Sequence, residues 1–192
     1  MSKSLKGTRT EHNLLASFAG ESQARNRYGF FASTARKEGY EQIAAIFEET
    51  AANEREHAKV FFKYLEGGDV EITATYPAGV IGDTRANLEA AANGEKLEWS
   101  VLYMDAENVA REEGFEEIAE SFKRIAIVEG FHEARYRKLA ANMDAGQVFK
   151  KQATVKWHCR NCGYIHEGPE APDECPACKH PKAFYELLAE NY

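Results

Sequence analysis

The sequence predicts a mainly α protein: a four-helix bundle with one long crossover, followed by a small metal-stabilised β/loop domain. Three observations carry that prediction. Apolar residues recur in alternating steps of three and four through four long segments, Glu-x-x-His occurs twice inside segments that copy one another, and all four cysteines fall after residue 158 as two Cys-x-x-Cys knuckles. Alternating steps of three and four mark the face of a helix turned toward a core. A chain of 192 residues holds one bundle and one small unit.

The first helix is expected from about Thr10 to Lys37, with Leu14, Phe18, Glu21, Ala24, Tyr28 and Phe31 on its stripe and Gly39 as its stop. The second is expected from Tyr40 to Glu66, ending at Gly67-Gly68, a strong C-terminal signal. Asp69 to Gly82, with Tyr76-Pro77-Ala78-Gly79, is too long and too aperiodic for a tight helix hairpin and reads as the long crossover of a ferritin-like bundle. Asp83-Thr84 offers an N-cap for a third helix that pauses at Asn93-Gly94 and runs to about Glu113, with Leu88, Ala91, Glu95, Glu98, Leu102, Asp105 and Val109 as its stripe. The fourth helix is expected from Phe115 to Asp144, closed by Gly146. The boundaries expected are 1–148 for the bundle and 149–192 for the cysteine domain.

Ala35 to Ala44, leading to Glu54-Arg55-Glu56-His57, realigns on Ala110 to Ala119, leading to Glu129-Gly130-Phe131-His132. A carboxylate and an imidazole three apart share one helix face, so two such helices present a paired ligand set. Both motifs lie on the inward stripes (Ile43, Phe47, Thr50, Glu54, His57, Phe61; Ile118, Phe122, Ile125, Glu129, His132, Tyr136), where a solvated acid would not. A buried carboxylate is neutralised, paired or bound to metal. The inward acids are Glu21, Glu54, Glu95, Glu98 and Glu129; a di-metal plan needs Glu21 and one of Glu95 or Glu98 beside the two Glu-x-x-His motifs, so one acid is in surplus. Oxygen donors with two imidazoles suit iron or manganese, and a metal pair can pass two electrons to peroxide or dioxygen. Tyr28, seven residues after Glu21, shares its face and either hydrogen-bonds a ligand or only packs; Tyr103, five after Glu98, is less well aligned.

Cys159, Cys162, Cys175 and Cys178 form a tetrathiolate site, not a disulfide framework, and such a site takes zinc or a single redox iron. A tail this short needs a metal to fold. The formal net charge of −7, without a basic cluster, argues against a nucleic-acid partner. No apolar run nears the roughly 20 residues that span a bilayer, and the basic start, Met1 to Arg9, leads into no apolar leader core; a cytoplasmic protein with no membrane partner is expected.

Gly20-Glu21-Ser22-Gln23-Ala24-Arg25-Asn26-Arg27-Tyr28, Glu54-Arg55-Glu56-His57, Gly94-Glu95 with Glu98, and Glu129 with His132 resemble the rubrerythrin family. So do the knuckles Cys159-Arg160-Asn161-Cys162-Gly163-Tyr164 and Cys175-Pro176-Ala177-Cys178. The resemblance covers essentially the whole chain and implies a ferritin-like di-iron bundle fused to a rubredoxin-like domain that holds one iron; zinc is the alternative occupant of that site in recombinant protein. It implies bridging Glu54 and Glu129, one iron taking Glu21 with Glu98 or His57 according to oxidation state, and the other taking Glu95 with His132. Glu98, His57 and Tyr28 are then the expected catalytic residues. The implied activity is reduction of hydrogen peroxide to water, in defence against oxidative stress. Its electrons arrive through the Cys-ligated iron from rubredoxin or an NAD(P)H-dependent reductase. A head-to-tail homodimer, or a dimer-based oligomer, brings one subunit's Cys site to the other's di-iron pair. The alternatives are a ferritin-like ferroxidase or storage protein, which leaves the Cys domain without a role, and a plain electron carrier, which leaves the buried Glu-x-x-His motifs unexplained.

Overall fold

The computed structural model describes residues 3–191; Met1, Ser2 and Tyr192, which end the two expected domains, lie outside the described residues. Helices α1 (Arg9–Lys37), α2 (Glu41–Tyr64), α3 (Thr84–Leu97), α4 (Tyr103–Glu112) and α5 (Glu116–Asp144) form the bundle, with α3 and α4 joined through a π-helical turn at Glu98–Leu102. Residues 65–83 cross the bundle without regular secondary structure. None of the described helices is long and apolar enough to cross a membrane.

The repeat in the sequence builds the same turn twice. After α1, Gly39 (φ 83°) lets Tyr40 N–H reach Ala35 O at 2.8 Å; after α4, Gly114 (φ 76°) lets Phe115 N–H reach Ala110 O at 2.8 Å. This is a Schellman stop, in which a left-handed residue returns two N–H groups to the last helical carbonyls. The residue before each glycine then caps the other repeat: Glu38 Oε2 accepts from Thr84 N at 2.9 Å, and Glu113 Oε2 from Thr10 N at 2.9 Å. Each hairpin thus secures the N-terminus of the other, where a negative charge meets unpaired N–H groups.

The core has two apolar clusters with the acids between them. One contains Tyr28, Phe31, Phe47, Leu88 and Tyr136, the other Leu14, Phe61, Tyr103, Ile118 and Phe122. Each large side chain fully withdrawn from water contributes about 1.5–3 kcal/mol, and these layers carry the charged layer they enclose.

The third helix corrects the expected register. No pause occurs at Asn93-Gly94; the irregularity is the π-turn four residues on. A π-turn inserts one extra residue, so beyond it the buried positions are Tyr103, Ala106 and Ala110, while the expected Leu102 and Asp105 are exposed and Val109 is only partly buried.

The C-terminal unit is a three-stranded antiparallel sheet, with β1 (Lys150–Cys159) between β2 (Ile165–Glu170) and β3 (Tyr185–Leu187). Trp157, Cys159, Cys175 and Tyr185 form its small core, and Trp157 Nε1 donates to Gly168 O at 3.1 Å. It touches the bundle at the α1–α2 turn, where Phe149 stacks on Tyr40 with ring centroids 6.0 Å apart.

Candidate metal centres

Four helical segments bring the expected acids together. Glu21, Glu54, His57 and Glu129 offer ligand atoms all within 4.8 Å of one another, and Glu54, Glu95, Glu129 and His132 do the same. Glu54 and Glu129 belong to both groups, so the two clusters share an edge. The imidazoles face inward: His57 Nδ1 lies 2.9 Å from both Glu54 Oε2 and Glu129 Oε1, and His132 Nδ1 lies 2.8 Å from Glu129 Oε2. Glu98 is buried beside the clusters but in neither; of the two residues expected to alternate, His57 is the one turned in.

Each apolar layer contributes one phenol to the acids. Tyr28 Oη donates to Glu95 Oε1 at 2.6 Å, and Tyr103 Oη donates to Glu21 Oε1. Tyr28 therefore does more than pack. Tyr103 is as well placed, because the π-turn brings a residue five positions after Glu98 onto the same face. The spacing from Glu98 to Tyr103 was the available signal, and an α-helical reading places Tyr103 off the stripe.

Charge balance without metal is poor. Burial, then the nearby Glu54, raises the carboxyls of Glu21 and Glu95 well above the usual range, and burial with Glu129 and Glu54 lifts Glu98 to about 8. Burial disfavours the imidazolium forms, yet Glu129 and Glu54 outweigh it and raise His57 to about 10 and His132 to about 9. Even so, Glu21 Oε2, Glu54 Oε1, Glu95 Oε2, both Glu129 oxygens and His132 Nδ1 are buried with no hydrogen-bond partner. His132 Nδ1 and Glu129 Oε2 are close without hydrogen-bond geometry, as ligands aimed at a common centre would be. Buried polar atoms left unpaired cost about 1–3 kcal/mol each, more if charged, and a divalent cation pair satisfies all of them at once. The donor set fits hard or borderline metals such as iron.

The four thiols converge too: Cys159 Sγ is 3.8 Å from Cys178 Sγ, and Cys162 Sγ is 3.7 Å from Cys175 Sγ. The backbone N–H of His180 holds the Cys178 thiol down at about 6, so a thiolate ligand is ready at neutral pH.

The Rubrerythrin family model matches residues 12–140, two thirds of the chain. The chain belongs to the rubrerythrin family. A second model, described as Rubrerythrin, rubredoxin-like domain, matches residues 157–186 and so contains all four cysteines. The rubrerythrin of Nitratidesulfovibrio vulgaris is 58% identical over 190 residues, covering 99% of this chain and 100% of that protein. The rubrerythrin of Porphyromonas gingivalis is 57% identical, covering 100% and 96%. Among solved structures, fully reduced, all-ferrous nigerythrin superposes with a TM-score of 0.64 at 34% identity, covering 97% of this chain and 90% of that one. As a rubrerythrin-family member the chain combines a di-iron carboxylate–histidine cluster with a rubredoxin-type four-cysteine site.

Proposed function

We propose that the protein is a non-haem di-iron peroxidase that reduces hydrogen peroxide to water. The observation that carries this reading is the pairing, in one chain, of a two-centre acid–imidazole cluster with a four-thiolate site, since a storage protein has no use for the second. The overall change is addition of two electrons and two protons to one peroxide, giving two waters. Glu54 and Glu129 would hold both irons, Glu21 with His57 would complete one and Glu95 with His132 the other; Glu98, buried close to Glu21, would take the place of His57 in the other oxidation state. When bound, the iron pair supplies the two electrons.

The protein's own groups orient and protonate. Tyr28 fixes Glu95 and Tyr103 fixes Glu21 by donating to one carboxylate oxygen of each, which leaves the other free to bind. Glu98 and His57 are proton carriers, because either one, when not a ligand, can hold or deliver the proton that peroxide cleavage needs. The aromatic layers above and below limit water around the acids. Cys159, Cys162, Cys175 and Cys178 would hold the single iron that takes up electrons from rubredoxin or an NAD(P)H-dependent reductase. The working unit is a head-to-tail homodimer in the cytoplasm, with residues 1–148 and 149–192 as its two domains.

Anaerobically reduced protein mixed with hydrogen peroxide or with dioxygen tests this reading. Faster oxidation by peroxide, without iron mineral, is expected. Faster oxidation by dioxygen with accumulation of ferric mineral would instead make it a ferroxidase.

A further inference from the structure

The acid cluster is sealed on most sides; Glu21, Glu95 and Glu129 have no exposed surface. One flank differs. Beneath the crossover lies a cavity of about 420 Å³ bordered by Glu98 and Tyr103 on the inside and by residues 73–77 on the outside.

The sequence builds this space in three ways. Facing positions on α1 and α3 are Gly20 and Gly94, and a methyl group there would meet only Tyr76 Cε1 at 3.5 Å or Arg27 Nη2 at 3.6 Å. The π-turn brings Glu98 and Tyr103 to the same level. The outer wall is thin: Thr73, Thr75 and Pro77 are exposed, while Tyr76 is half-buried and tied to the bundle by donation from its Oη to Ala16 O. The rest of the wall is mostly apolar, from Leu97, Leu102 and Ala106, with polar groups at Asn13, Gln23 and Arg27. By contrast, a groove of about 510 Å³ on the α1–α2 face, lined by Arg25, Phe30 and Arg55, borders no acid of the cluster.

We infer that the cavity under the crossover is the route by which hydrogen peroxide reaches the di-iron site, with Tyr76 as its cover and Glu98 as the first site carboxylate it meets. Peroxide is small and uncharged, so it passes a largely apolar wall far more readily than an ion would, and the scattered amide, hydroxyl and guanidinium groups offer it hydrogen bonds on the way. A water molecule occupies about 30 Å³ of liquid, so the space admits several such molecules. The inference rests on the peroxidase reading for its substrate, and on the cavity alone for its route.

The test fills the cavity from Gly94, whose backbone accepts a side chain, and uncovers it at Tyr76. The probes are azide, whose association with the oxidised iron pair is read by visible absorption, and peroxide, whose reaction with the pre-reduced protein is read by stopped flow. Gly94→Leu should keep its iron yet slow both reactions about tenfold, whereas Gly94→Ala should change them by less than about twofold. Tyr76→Ala should speed azide association severalfold. An unchanged azide rate in iron-loaded Gly94→Leu overturns the route, as does slowed azide with unchanged peroxide. If Gly94→Leu does not fold, an unchanged azide rate in Tyr76→Ala overturns it. Should wild-type protein not react with peroxide at all, the peroxidase reading falls while the azide arm still decides the route.

Discussion

Removing metal from the bundle should make stability fall as pH rises. In the metal-free chain burial, with Glu129 and Glu54, lifts Glu98 from 4.5 to about 8. Between those values the folded protein keeps a proton that the unfolded chain has released, so unfolding becomes easier with each step in pH. At ~1.4 kcal/mol per pH unit the displacement sets a ceiling of ~5 kcal/mol for Glu98 acting alone. The imidazoles add to the same slope: His57, raised to about 10, and His132, raised to about 9, stabilise the fold fully below ~6.5, and that contribution is lost as pH passes 9 to 10. Iron binding reverses the trend, because each ligand must shed its proton to bind and affinity then grows with pH. Urea unfolding of chelator-stripped and iron(II)-loaded protein, followed by far-UV helix signal from about pH 5 to about pH 9, measures this directly. The stripped midpoint should decline across the range, because Glu98, His57 and His132 together outweigh the opposite slope of Cys178 between about 6 and 9, while the loaded midpoint holds or rises, and loading near neutral pH should release the two imidazole protons and more. A stripped midpoint that is flat or rises with pH would refute the reasoning.

Glu113 behaves oppositely. Burial works against its charge, but donation from Thr10 Oγ1, Thr10 N and Arg9 holds it at about 2, so its contribution is present above ~4.3 and lost as pH falls toward about 2. Glu113→Gln should cost about 1–3 kcal/mol near neutral pH and flatten acid unfolding, which thermal melts at several pH values would show. Tyr103→Phe leaves Glu21 Oε1 without its donor; it should retain iron but slow peroxide reduction, by about tenfold or more, as stopped-flow rates would report. His57→Ala should slow peroxide reduction by the reduced form and spare the oxidised site, whereas Glu98→Ala should perturb the oxidised site most; paired reduced and oxidised crystal structures with unchanged ligands at that iron would remove the exchange.

Much of the site was legible because burying charge is costly: Glu21, Glu54, Glu129 and His132 interrupt apolar stripes, and only a shared partner explains them there. The turn after the first helix was legible for a similar reason, since Gly39 sits where a helix needs a left-handed residue. The π-turn was not. Its extra residue changes no composition, and a pattern counted at constant pitch assigns Leu102 and Asp105 to the core in place of Tyr103 and Ala106. The capping of each hairpin by Glu38 and Glu113 was also hidden, because both look like ordinary surface acids until the pseudo-symmetric packing places them. Nor does the sequence disclose that the crossover roofs a cavity, which depends on how residues 73–77 lie across Gly20 and Gly94.

If peroxide is reduced in the bundle with electrons that pass through the cysteine site, loss of one thiolate stops turnover but not a single round of oxidation. Cys178→Ser tests it most directly. Pre-reduced Cys178→Ser protein should complete one round of oxidation by hydrogen peroxide, yet show no sustained turnover with NADH, a reductase and rubredoxin, where the wild type turns over continuously. Steady-state turnover at the wild-type rate in Cys178→Ser would contradict the account.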